Sequence, residues 1–180
     1  MIFLEKIRTK IGALLLSSEL KKRNREIIAQ GLKKVKTLGI IFDASEISAQ
    51  NQIKEFLKSI PKKDIEYFII GYIPNHKMKH NYISDQTWQY FTEKDFSFFM
   101  QAKNEAIISF CNHKLDLLMV LDTTYHFPID WISSMSLARF KAGKSGFYNN
   151  SLDFMIDLQD NSINSLLKQL EHYLGSLNNG

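Results

Sequence analysis

Leu38-Gly39-Ile40-Ile41-Phe42-Asp43 is a short, continuously apolar run that ends on a carboxylate. A strand covered by helices on both faces reads this way, because both of its faces must be apolar. Downstream, Ala49, Ile53, Phe56, Leu57 and Ile60 form one helical stripe that Pro61 stops. Ile65 to Ile73 is a second strand, rich in β-branched and aromatic residues and closed by Pro74. Leu115 to Leu121 is the most apolar strand of the chain, and it too ends on an aspartate, Asp122. Upstream of Leu38 the pattern is helical.

The remaining segments extend this alternation. A short strand is expected at Trp88 to Phe91, inside the irregular stretch 74–100. A helix with Ala106, Ile107, Phe110 and Cys111 on one side follows. Pro128 suits a first helical turn, with Trp131, Ile132, Met135 and Ala138 sharing a face behind it. Lys144 to Tyr148 and Phe154 to Leu158 read as two short strands. Ile163, Leu166, Leu167, Leu170, Tyr173, Leu174 and Leu177 make the last helix. This order predicts an α/β domain with a single, mostly parallel sheet and helices on both faces. Right-handed crossovers narrow it to a Rossmann-like or flavodoxin-like topology. The domain is expected over residues 37–177, after a basic helical arm over 1–36 and before a tail at 178–180.

The chain has 180 residues, with 44% hydrophobic and 23% charged side chains, so it is globular rather than disordered or fibrous. Its single cysteine, Cys111, excludes an intramolecular disulfide and suits a reducing, cytoplasmic setting. The apolar run Ile11 to Leu16 is too short to span a bilayer, which takes roughly 20 residues. The net charge of +4 is uneven. Residues 1–36 hold ten basic and three acidic side chains, a local +7 that leaves −3 for the remainder.

In open α/β sheets, ligands sit beyond the carboxyl ends of the strands, where strand order reverses. Asp43 and Asp122 stand at two such ends, and a Rossmann-like order makes those strands neighbours. The two carboxylates are candidate catalytic residues, as an acid/base pair or as ligands to a cation. The competing reading makes both of them helix caps, with Asp43 and Glu46 as a capping box. No glycine follows the first strand, so a dinucleotide or triphosphate loop is not expected there, and no cofactor is assigned. Gly143-Lys144-Ser145 copies only the tail of a phosphate-binding loop, in the wrong structural order. His76 and His80 have metal-ligand spacing, but Lys77 and Lys79 between them favour a solvated loop. Cys111, with His113 and His126 as partners to a thiol, reads as a small buried hydrophobe. Tyr82, Trp88, Tyr90, Phe91, Phe96, Phe98 and Phe99 suit base stacking between lysines, or a core under an irregular loop.

The arm reads as helix, with Leu4, Ile7, Ile11, Leu14 and Leu15 on one stripe and Leu20, Ile27, Ile28, Leu32 and Val35 on a looser one. Lys21, Lys22, Arg23, Arg25, Lys33 and Lys34 form a cationic cluster suited to RNA phosphates. Phe3, Leu4, Ile7 and Ile11 suit an anionic membrane surface.

Phe42-Asp43-Ala44-Ser45, Tyr90-Phe91-Thr92-Glu93-Lys94-Asp95-Phe96, Lys103-Asn104-Glu105, Ala138-Arg139-Phe140-Lys141-Ala142-Gly143 and Asp153-Phe154-Met155-Ile156-Asp157-Leu158 resemble a family of uncharacterised Bacteroidota proteins. That resemblance implies a bacterial, cytoplasmic origin and no assigned activity. Asp116 to Asp122 with Ser136 to Phe147 is similar to the amino-terminal half of heptosyltransferase-type glycosyltransferases. This second resemblance implies a Rossmann-like acceptor domain. Such enzymes bind the nucleotide-sugar mainly in a second half, for which 180 residues leave no room. The leading expectation is a non-enzymatic protein whose arm contacts RNA or the ribosome. The alternatives are a small-molecule or degenerate glycosyltransferase-like domain using Asp43 and Asp122, and peripheral membrane attachment.

Overall fold

The computed structural model describes residues 2–46, 48–60, 64–148 and 150–177, with the side chains of Ile2, Phe3 and Glu5 outside that set. Its centre is a 6-stranded sheet in which every pairing is parallel. In chain order the strands are β1 (Thr37–Asp43), β2 (Glu66–Ile73), β3 (Trp88–Thr92), β4 (Leu117–Leu121), β5 (Phe140–Lys144) and β6 (Phe154–Ile156). Their spatial order is β3-β2-β1-β4-β5-β6, so the chain runs outward from β1 and then returns to start again at β4. This is the Rossmann-like order, and it makes β1 and β4 neighbours.

Helices cover both faces. On one face, α2 (Ala49–Ser59) and α5 (Ile163–Ser176) pack on Ile40, Phe42, Met119 and Leu121. On the other, α1 (Ile2–Leu20), α3 (Glu105–Asn112) and α4 (Phe127–Met135) pack on Ile41, Ile70, Leu118 and Val120. Side chains alternate across a strand, so the apolar runs of β1 and β4 feed both cores. Local signals set the helix starts. Asn104 caps α3 through its side chain, Ser162 caps α5, and Pro128 occupies the first turn of α4.

Three sequence expectations need correction. The arm is helical only to Leu20; residues 23–30 have no regular secondary structure. That stretch is pinned to the body instead. Arg25 forms a two-pronged ion pair with Asp153 at 2.6 Å, and the Leu32 amide donates to the Leu174 carbonyl of α5. Such pairing satisfies the backbone without a helix. The strand expected at Lys144 to Tyr148 lies earlier, at Phe140–Lys144, and Ala138 falls outside α4. The register of β5 against Leu117–Val120 of β4 decides this placement, and local propensity does not show it.

α1 lies against α4 through a close approach at Gly12. A Cβ there would sit 2.7 Å from the Cβ of Met100 and 3.1 Å from the Phe127 ring. Arg8 fastens the same helix to the loop after β3, donating to Glu93 at 2.7 Å and to the Phe98 carbonyl at 2.8 Å. No helix among the described residues is long and apolar enough to cross a membrane.

Candidate active site at the switch point

β1 and β4 end side by side, and each delivers its aspartate to the α4 face of the sheet. Asp43 pairs in register with Tyr72 of β2, and Phe42 with Leu121, one residue before Asp122. Neither aspartate caps a helix. Ser48 is the cap of α2 and His126 that of α4. Asp43 instead accepts the Ser45 amide at 2.8 Å, and Asp122 accepts the Thr124 amide at 3.2 Å. Each aspartate thus folds its own loop, which leaves a second carboxylate oxygen for other work.

His126 is the residue that joins them. Its Nδ1–H donates to Oδ2 of Asp122 at 2.9 Å, and its Nε2 lies 4.0 Å from Oδ2 of Asp43. The same Asp122 oxygen accepts the Tyr148 hydroxyl, which in turn accepts the His126 backbone amide at 3.0 Å. Asp122 is 1% exposed, so three donors compensate a buried charge. Tyr72 packs its ring 5.2 Å from the imidazole and walls the site on the β2 side.

The electrostatics follow from these contacts. The Asp122 hydrogen bond raises the His126 pKa, burial opposes it, and the charges of Asp122 and Asp43 raise it further. Tyr148 is held protonated by burial and by Asp122, so it serves as a fixed donor. Because Asp122 is an acceptor, it selects the tautomer with the proton on Nδ1. Nε2 is left facing Asp43. An imidazole oriented by one carboxylate, with a second carboxylate 4.0 Å from its other nitrogen, is suited to moving a proton.

Asp43, Asp122 and His126 also bring one ligand atom each to within 4.8 Å of one another. With Asp122 already accepting from Thr124, His126 and Tyr148, the atoms best placed for a cation are Oδ2 of Asp43 and Nε2 of His126, with Asp122 behind the histidine. Sequence reasoning paired His126 only with Cys111. The signal it passed over was the i, i+4 spacing of Asp122 and His126 straight after the most apolar strand.

The other sequence candidates separate from this site. Of the six arm cations, Lys21, Lys22, Lys33 and Lys34 are exposed, while Arg23 and Arg25 are half-buried. Arg23 donates to the Met135 carbonyl at 2.6 Å and to Asn112 at 2.9 Å. His76 and His80 lie on an exposed turn. Cys111 is buried, and burial pushes its thiol up to about 12, far from nucleophilic use. Trp88, Tyr90, Phe91 and Phe96 are core residues, whereas Phe98 and Phe99 are exposed.

The chain is thus a Rossmann-like α/β protein with an Asp–His–Asp cluster where its strand order reverses. It belongs to the family of unknown function DUF6913, whose model matches residues 8–177. No curated protein and no solved structure matches it.

Proposed function

We propose that the protein binds a small, hydroxyl- or phosphoryl-bearing molecule at the carboxyl edge of β1 and β4, and that His126 is its acid–base group. The observation that carries this reading is the Asp122–His126 hydrogen bond, which leaves Nε2 facing Asp43 at the switch point. Ligands of open α/β sheets collect at that point, whatever their chemistry. The resemblance of residues 116–147 to heptosyltransferase-type acceptor domains supports a sugar- or nucleotide-like ligand. Asp43 would orient the ligand or share its proton, and Asp122 would stabilise the imidazolium. Melting curves with sugars, nucleotides, nucleotide-sugars, Mg²⁺, Mn²⁺ and Zn²⁺ test the reading, since a ligand that binds only the native state raises Tm. Asp43→Ala and His126→Gln should each remove the rise while the apo protein stays folded. An unchanged Tm across the whole panel overturns it.

A second reading keeps the arm as a contact for an anionic partner, RNA or the ribosome. Its observation is that Lys21, Lys22, Lys33 and Lys34 all face solvent. Leu4, Ile7 and Leu14 on the outer side of α1 are exposed as well, which supports an anionic membrane surface in the same role; the Phe3 side chain lies outside the described residues. Deleting residues 1–36 is a poor test, because Leu32 and Val35 belong to the core. Reversing charge at Lys21 and Lys33 is cleaner. The reading requires RNA affinity that falls steeply with salt and drops in that variant. Flotation with anionic vesicles in place of RNA binding would favour the membrane.

A further inference from the structure

Three cations converge behind α4, away from the switch point. Lys141, Arg23 and Arg25 line one cavity of about 180 Å³, together with Ser134, Ser136, Asn150 and Ser151. Lys141 is 2% exposed although it sits in β5. Its ammonium donates to the carbonyls of Ser133 at 2.6 Å and Ser134 at 3.2 Å, and Arg23 and Arg25 donate to those of Met135 and Ala138. The last carbonyls of a helix lack partners and carry partial negative charge, which accounts for part of this gathering. It does not account for all of it. Arg25 has Asp153 as a full counter-charge. Lys141 and Arg23 donate to neutral carbonyls and an amide oxygen, and the one carboxylate whose charge reaches Lys141 is Asp153, already paired with Arg25. Buried charge facing neutral acceptors is costly unless an anion completes it.

We propose that this cavity is a binding site for a tetrahedral oxyanion of the sulfate or phosphate class, held by Lys141, Arg23 and Arg25. The volume suits one such ion with a few waters, a water taking roughly 30 Å³. Arginine forks and an ammonium are the donors that such ions select. At the wall, the Ser136 hydroxyl, which only accepts from the Ala138 amide, and Asn150 can supply neutral donors; the Ser134 and Ser151 hydroxyls already donate to Asp130 and to the Tyr148 carbonyl. Two of the six arm cations thereby gain a role in holding a small ion rather than a polymer backbone.

Lys141 makes the site proton-linked. Burial first, and then the charge of Arg25, lower its ammonium to about 7; Arg23 adds to this, while Asp153 opposes it. Cys111 keeps its proton through neutrality, and Lys141 is the group whose protonation changes there. An anion favours the protonated amine. Binding therefore weakens as pH rises through about 7.

Sulfate is the probe, because its own charge is constant across that range. The full chain is titrated with sulfate against chloride at matched ionic strength, by calorimetry and by melting, at pH 6.5 and 8.5. Expected results are saturable binding by sulfate and not by chloride, at least tenfold weaker at pH 8.5. Lys141→Met and Arg23→Gln should each weaken it at least tenfold, and Asp43→Ala should leave it unchanged. If Lys141→Met does not fold, Arg23→Gln decides. Absence of saturable sulfate binding overturns the site, as does binding undiminished by these variants or abolished by Asp43→Ala.

Discussion

At the scale of single residues, two side chains make the protein's stability depend on pH in opposite directions. His126 has a raised pKa in the folded state because Asp122 accepts its Nδ1–H. A raised value means that folding takes up a proton. The histidine's contribution is complete below its unfolded value and is lost as pH climbs through the folded one. His126→Gln should therefore flatten the fall in Tm on the alkaline side of pH 6.5, a comparison that melting curves from pH 5 to 8 provide directly. Lys141 does the reverse. Its amine is lowered from 10.5 to about 7, so the unfolded chain holds the extra proton between those values and stability rises with pH across them. In Lys141→Met that rise should disappear, and chemical denaturation at pH 7.5 and 10 measures it. Arg25 offers a third check. Arg25→Met leaves the half-buried Asp153 without its ion partner, a loss on the order of 3 kcal/mol in urea unfolding.

At the scale of elements, the arm has two different halves. α1 is a helix laid on α4, and its closeness depends on Gly12, whose missing side chain admits Met100 and Phe127. Gly12→Val should push the helices apart and cost about 1–3 kcal/mol, which is several degrees of Tm in a chain of this length. Val35 and Leu32 carry the second half into the α2–α5 core, and Gly31 passes against the carbonyls of Leu174 in α5 and of Leu177 at its end. That second half reads as a loose helix because its apolar residues recur at compatible spacing. It is not one, because Arg25 and the Leu32 amide find partners at Ala138 between α4 and β5, at Asp153 before β6, and on α5. Such partners are far away along the chain, so no window of sequence contains them. The sequence pattern places β5 too late for a related reason. Phe140-Lys141-Ala142-Gly143-Lys144 has two lysines in five positions and looks like a surface segment. It becomes a buried strand because β4 pairs it and the α4 carbonyls receive the Lys141 ammonium.

For the molecule as a whole, the sheet protects its centre and exposes its ends. β1 and β4 are each flanked by parallel neighbours and covered on both faces. β6 is an edge strand of 3 residues, short enough to resist pairing with a second sheet. Hydrogen exchange should follow this order, with the slowest amides in β1 and β4 and faster ones in β6 and the first turns of α1. Equal protection along all six strands would contradict the layered description. The same topology sets the two candidate sites apart. The switch point gathers Asp43, Asp122 and His126 on one side of the sheet's edge, while the cationic cavity opens behind α4. The two share no residue, which makes the two proposals separable.

Sequence alone determined the layered α/β class and the alternation of elements. It also placed two aspartates at strand ends, because hydrophobic periodicity and strand termini are local properties of the chain. Only tertiary structure decided that β1 and β4 lie together, that His126 bridges their aspartates, and that Arg23, Arg25 and Lys141 meet. Those depend on strand order and on contacts between residues distant in sequence, where pairing of buried charge overrides local preference.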